Sequence, residues 1–311
     1  MGYGSYRASD WTKLKESKGI SAASRSDEIF KTNSFQEKYN PYFITSRESL
    51  DSADSPASTP IIIGFDVTGS MGYLAEEIAK NALNKTILNI YDKNPITNPH
   101  VMCAAIGDIC DTAPLQVTQF EADIRIVEQL MELWLEMHGG DAPEAYNLLW
   151  YFADKHTRTD NYKKRNQKGF LFTIGDAAVH PGLSPEDIKK VFNDKVDSFI
   201  SNKDLIKSVS EKYNVFHIVT KDKTSVSHWE KILPGHVVFI KERDIGYLSE
   251  VITSIILLTS GMTEKEVVQQ WPANCRESIA SIIQAIRLKN DEPVSKSSPS
   301  DHKRYKWFFR K

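Results

Sequence analysis

The chain has 311 residues, enough for one large α/β domain with extensions or for two small domains, and it can bury a sizeable core. Its 39 basic and 41 acidic residues leave a formal charge of −2, which excludes a global field for nucleic acid or anionic membrane as the main partner. Three cysteines, Cys103, Cys110 and Cys275, lack metal-ligand spacing and point to a reducing compartment.

The opening MGYGSYRASDWTKLKES has no apolar signal core. The longest greasy run, VITSIILLTSGM, is shorter than the roughly 20 residues a bilayer span needs. The expectation is therefore a cytoplasmic protein without a transmembrane segment. MGYGSY resembles the MGxxx[ST] myristoylation pattern, a weak signal alone.

Residues 1–58 read as an extended N-terminal arm and linker. They are rich in Ser, Asp, Asn and Lys, with scattered aromatics (Tyr3, Tyr6, Trp11, Phe30, Phe35, Tyr39, Tyr42, Phe43) suited to anchoring the arm, and end in the linker SRESLDSADSPASTP. A domain is expected over residues 59–261. Ile61 to Phe65 reads as a strand buried on both faces, followed by Leu74, Ile78, Leu83 and Ile87 near helical spacing. Val101 to Ile106 and Leu115 to Phe120 are the next strands, close enough in sequence for an antiparallel connection. Ile124, Val127, Leu130, Met131, Trp134 and Met137 predict one long helix stopping at His138-Gly139-Gly140, and a second helix follows Pro143. The strand GFLFTIGD, 169 to 176, ends on an acid, as the first strand does. Ser184-Pro185-Glu186-Asp187 starts a helix over 185–194. Further elements are a helical segment from Asp204 to Tyr213, strands Val215 to Thr220 and His236 to Ile240, and an apolar helix from Tyr247 to Thr259. Residues 262–311 hold a C-terminal helix from Glu277 to Leu288, a Ser/Pro/Lys-rich spacer and a basic aromatic tail, DHKRYKWFFRK, the one local feature suited to phosphate, a membrane surface or a protein groove. The alternation predicts an α/β class with a mostly parallel central sheet, one antiparallel strand and helices on both faces.

In such a sheet, chemistry collects beyond the carboxyl ends of the strands. Asp66 and Asp176 fall there, Asp141 sits in the loop between two helices, and Thr68 and Ser70 follow Asp66 closely. Carboxylates and hydroxyls without His or Cys make a hard-oxygen set that suits Mg²⁺ or Mn²⁺ over zinc. Thr68 or Ser70 alone would serve equally well as a cap for the helix after Met71. Asp108 and Asp111 read as shaping a turn, Glu144 as a first-turn acid favoured by the helix dipole, and His138 and His180 as surface or hydrogen-bonding residues.

Asp66-Val67-Thr68-Gly69-Ser70, His138-Gly139-Gly140-Asp141-Ala142-Pro143-Glu144 and Thr173-Ile174-Gly175-Asp176-Ala177 together resemble the three loops of the metal-ion-dependent adhesion site of von Willebrand factor type A (vWA) domains, as also found in integrin inserted domains. Thr68 replaces the first Ser of the DxSxS loop, and Asp141 stands where a threonine is more usual, so direct ligation, ligation through water and no ligation all stay open for it. The resemblance covers about 59 to 261 and implies a three-layer Rossmann-like fold. It also implies a metal set of Asp66, Thr68, Ser70, Asp141 and Asp176, and an adhesion-type module in which a Mg²⁺ (or Mn²⁺) captures a Glu or Asp of a partner protein. Intracellular members of bacteria and phages are the implied type. As for enzymes, the dehalogenase DxDx[TV], the P-loop and the GxSxG elbow are absent from the sequence. A metal-dependent phosphatase or nuclease built on Asp66, Asp108, Asp141 and Asp176 is the alternative, and would need two ions about 4 Å apart.

Overall fold

Six apolar runs pair into a single sheet: β1 (Thr59–Asp66), β2 (Pro99–Ile106), β3 (Leu115–Val117), β4 (Gly169–Gly175), β5 (Tyr213–Lys221) and β6 (Val237–Lys241). Their order is β6-β5-β4-β1-β2-β3, and every pairing is parallel except β2 with β3. The computed structural model describes residues 6–19, 29–30, 32–78, 82–137, 143–221 and 223–288. The α/β class and the one antiparallel strand are as the sequence suggests.

β1 is central and buried along its whole length, which explains its near-continuous apolar sequence. Side chains alternate between the two faces of the sheet. Ile61, Ile63 and Phe65 pack with helices Leu83–Lys93 and Leu248–Thr259, whereas Ile62 joins the layer formed by helix Tyr146–Lys155 and Trp229. Chain order turns from one side of β1 to the other, so the β1–β4 boundary is the switch point where a crevice is expected at the strands' carboxyl ends.

Several elements differ from expectation, among them the C-terminal helix, which is Arg276–Ile283 instead of 277–288, and the N-terminal arm, which carries a helix. The helix drawn over 124–137 is only Arg125–Leu130. Beyond it the buried Gln116 side chain grips the backbone of Trp134 at both N–H (3.0 Å) and C=O (2.7 Å), and Glu136 accepts from the N–H groups of Thr112 and Ala113. These side-chain bonds satisfy the backbone in place of helical ones and hold the segment against the β2–β3 connection. β3 ends at Val117 instead of Phe120, because the Thr118 hydroxyl takes the Cys103 N–H at 2.9 Å. The segment expected to be helical up to Tyr213 is helix Asn202–Val209, and Tyr213 already opens β5.

The N-terminal arm is partly structured: it carries helix Ala8–Lys18, and Tyr6, Leu14, Ile29, Phe30 and Tyr39 are buried in the same apolar layer as β1. A three-residue strand at Arg47–Ser49 pairs in parallel with Thr157–Thr159. Two polar contacts fasten this stretch. Arg165 holds the Asp51 carboxylate at 2.8 Å and keeps it well below the usual carboxylate range. His100, 1% exposed, sits between the hydroxyls of Ser49 (3.1 Å) and Ser55 (2.8 Å). The tail from 289 onward lies outside the described residues. No helix among the described residues is long and apolar enough to cross a membrane.

Burial pushes His100 down to about 4, so the folded protein holds it neutral where the unfolded chain would protonate it. This contribution to stability is complete above the unfolded value near 6.5 and is lost as the pH falls from there to about 4, up to about 3 kcal/mol. Urea unfolding between pH 7 and pH 4 should therefore show a loss for the native chain that is smaller by about that amount in His100→Gln.

Candidate functional site

β1 ends on Asp66, whose side chain has no exposed surface. A buried carboxylate is tolerated only where donors meet it. Oδ1 accepts from the Thr68 backbone N–H (2.8 Å) and the Thr68 hydroxyl (2.6 Å), and Oδ2 accepts from the Tyr146 hydroxyl (2.5 Å). The Asp-x-Thr spacing thus folds the loop back on its own strand. The Thr68 hydroxyl is 3.2 Å from that of Ser70, and the Ser70 hydroxyl donates to Asp176 Oδ1 at 2.9 Å. Asp66, Thr68, Ser70 and Asp176 are therefore joined oxygen to oxygen across the β1–β4 crevice. Exposure rises along the series, from the fully buried Asp66 and Thr68 to Ser70 and Asp176, which keep partial exposure, 10% for the Asp176 side chain.

Packed aromatic rings back this chain of oxygens. Tyr146, the first residue of its helix, meets Trp229 edge-on at 5.3 Å, and Trp229 stacks on His217 at 3.4 Å. Trp229 donates its indole N–H to Ala177 O, and Ser225 donates to Asp176 O, which fixes the loop after β4. Gly175 leaves the room Tyr146 needs: a Cβ there would stand 1.9 Å from the tyrosine oxygen.

Sequence reasoning missed Glu144, Tyr146 and Lys221. Glu144 was expected in a first helical turn, but the helix begins at Tyr146 and Glu144 is bridged to Val179 instead, with its N–H on Ala178 O at 2.8 Å. The side chain is 1% exposed, and its Oε2 has no hydrogen-bond partner among the described residues. Burial, then the charges of Asp66 and Asp108, push its carboxyl up to about 9. Burial likewise pushes Asp66 up to about 6, against the pull of its hydrogen bonds from Thr68 and Tyr146. Lys221 donates to Ser70 O at 2.7 Å and stands 3.8 Å from Asp176 Oδ2. Glu144 and Tyr146 enter at the start of one helix and Lys221 from the end of β5, far in sequence from the ligand loop, so only tertiary packing brings them to it.

Asp108 is occupied elsewhere, accepting from His180 Nε2 at 2.6 Å and Cys110 Sγ at 3.1 Å, while Asp111 caps the Asp108 N–H. These two acids form the turn expected of them, and His180 is the hydrogen-bonding histidine expected. Asp141 and His138 lie outside the described residues.

Among the described residues no group of three or more His, Cys, Asp or Glu side chains is gathered so as to hold an ion. The donors that do converge are two carboxylates and two hydroxyls, the hard oxygens that Mg²⁺ or Mn²⁺ accepts together with waters. Among the described residues a buried Glu144 oxygen has no partner, and burial holds the Asp66 and Glu144 carboxyls above their ordinary range, a setting in which a nearby cation would favour the ionised forms. The residues therefore fit such an ion.

No family model matches the sequence, and no curated relative matches it. Among solved structures, the chain is similar to a von Willebrand factor type A protein from Catenulispora acidiphila at 15% identity and a TM-score of 0.41, over 66% of this chain and 43% of that one. It is similar to the pilus adhesin SpaC from Lactobacillus rhamnosus GG, in its open conformation, at 8% identity and 0.43, over 65% and 30%. A third likeness is to proximal thread matrix protein 1 of the mussel byssus, at 11% identity and 0.41, over 65% and 47%. The chain spans less than half the length of each of these structures.

Tyr146→Phe removes the only donor described for Asp66 Oδ2 while keeping the ring, and should cost about 1–3 kcal/mol in chemical denaturation. Unchanged stability would mean that the phenol does not support the acid.

Proposed function

We propose that the chain is a vWA-type protein-binding module whose ligand loop, Asp66, Thr68 and Ser70, works with Asp176 to hold a Mg²⁺ or Mn²⁺ ion. The observation that carries this is the continuous run of hydrogen-bonded oxygens from Asp66 to Asp176 at the switch point of the sheet. Held there, such an ion would offer a coordination position to a Glu or Asp of a partner protein. Asp66 and Thr68 form the fixed, buried floor, and Ser70 and Asp176, the less deeply buried pair, form the side nearer solvent. Asp141 is proposed as a further ligand, direct or through water.

The surroundings suit an anionic partner. Lys221, Lys241 and Arg243, with Glu242 among them, line a cleft of about 630 Å³ that shares Lys221 with the ligand loop. A two-ion hydrolase finds less support, since Asp108 has both oxygens engaged by His180 and Cys110. The proposed setting is the cytoplasm, with residues 59–261 as the binding domain and the two flanking regions as appendages.

Isothermal titration with Mn²⁺ should give one site per chain. Asp66→Asn and Ser70→Ala should each weaken it at least about tenfold, the loss of roughly 1.4 kcal/mol or more expected for a ligand. Partner capture from the native cell should require Mg²⁺ and fail with EDTA or with Asp66→Ala. Indifference to all three treatments contradicts metal-mediated capture, and metal-dependent phosphate release or nucleic-acid cleavage by the pure protein would favour the hydrolase.

A further inference from the structure

Lys221 ends β5 in a left-handed backbone conformation, φ +62°, a region that side chains other than glycine seldom adopt. That turn carries its ammonium back over the ligand loop, 2.7 Å from Ser70 O and 3.8 Å from Asp176 Oδ2. The opposing carboxylate is Asp176, with a side chain 10% exposed and tied through Ser70 and Thr68 to the deeper Asp66. With 44% of its side chain exposed, Lys221 can leave this position without disturbing the core. The β5–β6 register sets Lys241 opposite Lys221, and the adjoining cleft has room for the displaced ammonium.

We propose that Lys221 is the resident counter-charge of the ligand loop, giving up Asp176 when a divalent ion binds and then facing the partner's carboxylate. This rests on the divalent-ion site proposed above. The ammonium and the ion compete for one carboxylate, and their like charges repel at such separations. The lysine therefore weakens ion binding by the isolated protein. An incoming carboxylate offsets that penalty, because it meets both the ion and the freed ammonium. Lys221 would thus couple loading of the site to arrival of an acidic side chain, selecting acidic partners without any change in the ligands themselves.

The test uses the full chain and Mn²⁺ alone, titrated by electron paramagnetic resonance into the native protein, Lys221→Met, Lys221→Arg and Asp66→Asn. Lys221→Met should bind Mn²⁺ about tenfold more tightly, a gain that shrinks with added salt, while Lys221→Arg stays near the native affinity. Excess acetate as a carboxylate probe should strengthen Mn²⁺ binding in the native chain more than in Lys221→Met. Equal affinities for native and Lys221→Met, with binding abolished in Asp66→Asn, would overturn the role of Lys221 and leave the ion site standing. An equal acetate effect in both would overturn the contact with the partner's carboxylate. Absence of Mn²⁺ binding in every variant would overturn the ion site itself.

Discussion

The structure turns on the burial of one carboxylate at the carboxyl end of the central strand. Asp66 has no exposed surface, and such a group is stable only where donors surround it. Those donors come from two places: the loop that follows it, through Thr68, and the start of a helix eighty residues later, through Tyr146. Satisfying the acid therefore fixes the turn after β1, the seating of helix Tyr146–Lys155, and the bare backbone at Gly175 that makes room for the phenol. Glu144 and Asp176 bring further acids to the same place, and burial raises the Asp66 and Glu144 carboxyls above their ordinary range. A bound cation would draw such acids back toward their ionised forms.

The fold supplies both rigidity and access. The sheet and its aromatic backing of Tyr146, Trp229 and His217 hold Asp66 and the loop after β4 in fixed positions. The other side of the site is less closed: Ser70 keeps partial exposure, the Asp176 side chain is 10% exposed and that of Lys221 44%. A rigid floor with an open, charged rim suits capture of a partner's side chain.

Much of this was legible in the sequence, and for identifiable reasons. Strands buried on both faces read as unbroken apolar runs, so Ile61 to Phe65 and Gly169 to Ile174 stood out, and the acids that close them marked one end of the sheet. Asp66, Thr68 and Ser70 are neighbours in the chain, so their convergence needed only a turn. Glu144, Tyr146 and Lys221 were not legible, because each reaches the site through tertiary packing. Glu144 looked like a helical first-turn acid because the sequence does not show that the helix starts two residues later. The helix expected over 124–137 failed for a related reason: its apolar spacing was sound, but Gln116 offers the Trp134 backbone a competing pair of hydrogen bonds that no local pattern announces.

The central claim is that four oxygen-bearing side chains hold a divalent ion. Anomalous diffraction from crystals grown with Mn²⁺ tests it most directly. The account predicts one manganese peak among the oxygens of Asp66, Thr68, Ser70 and Asp176, with the Lys221 ammonium moved off Asp176. A map without manganese there, and with Lys221 still bonded to the Ser70 carbonyl, would contradict it.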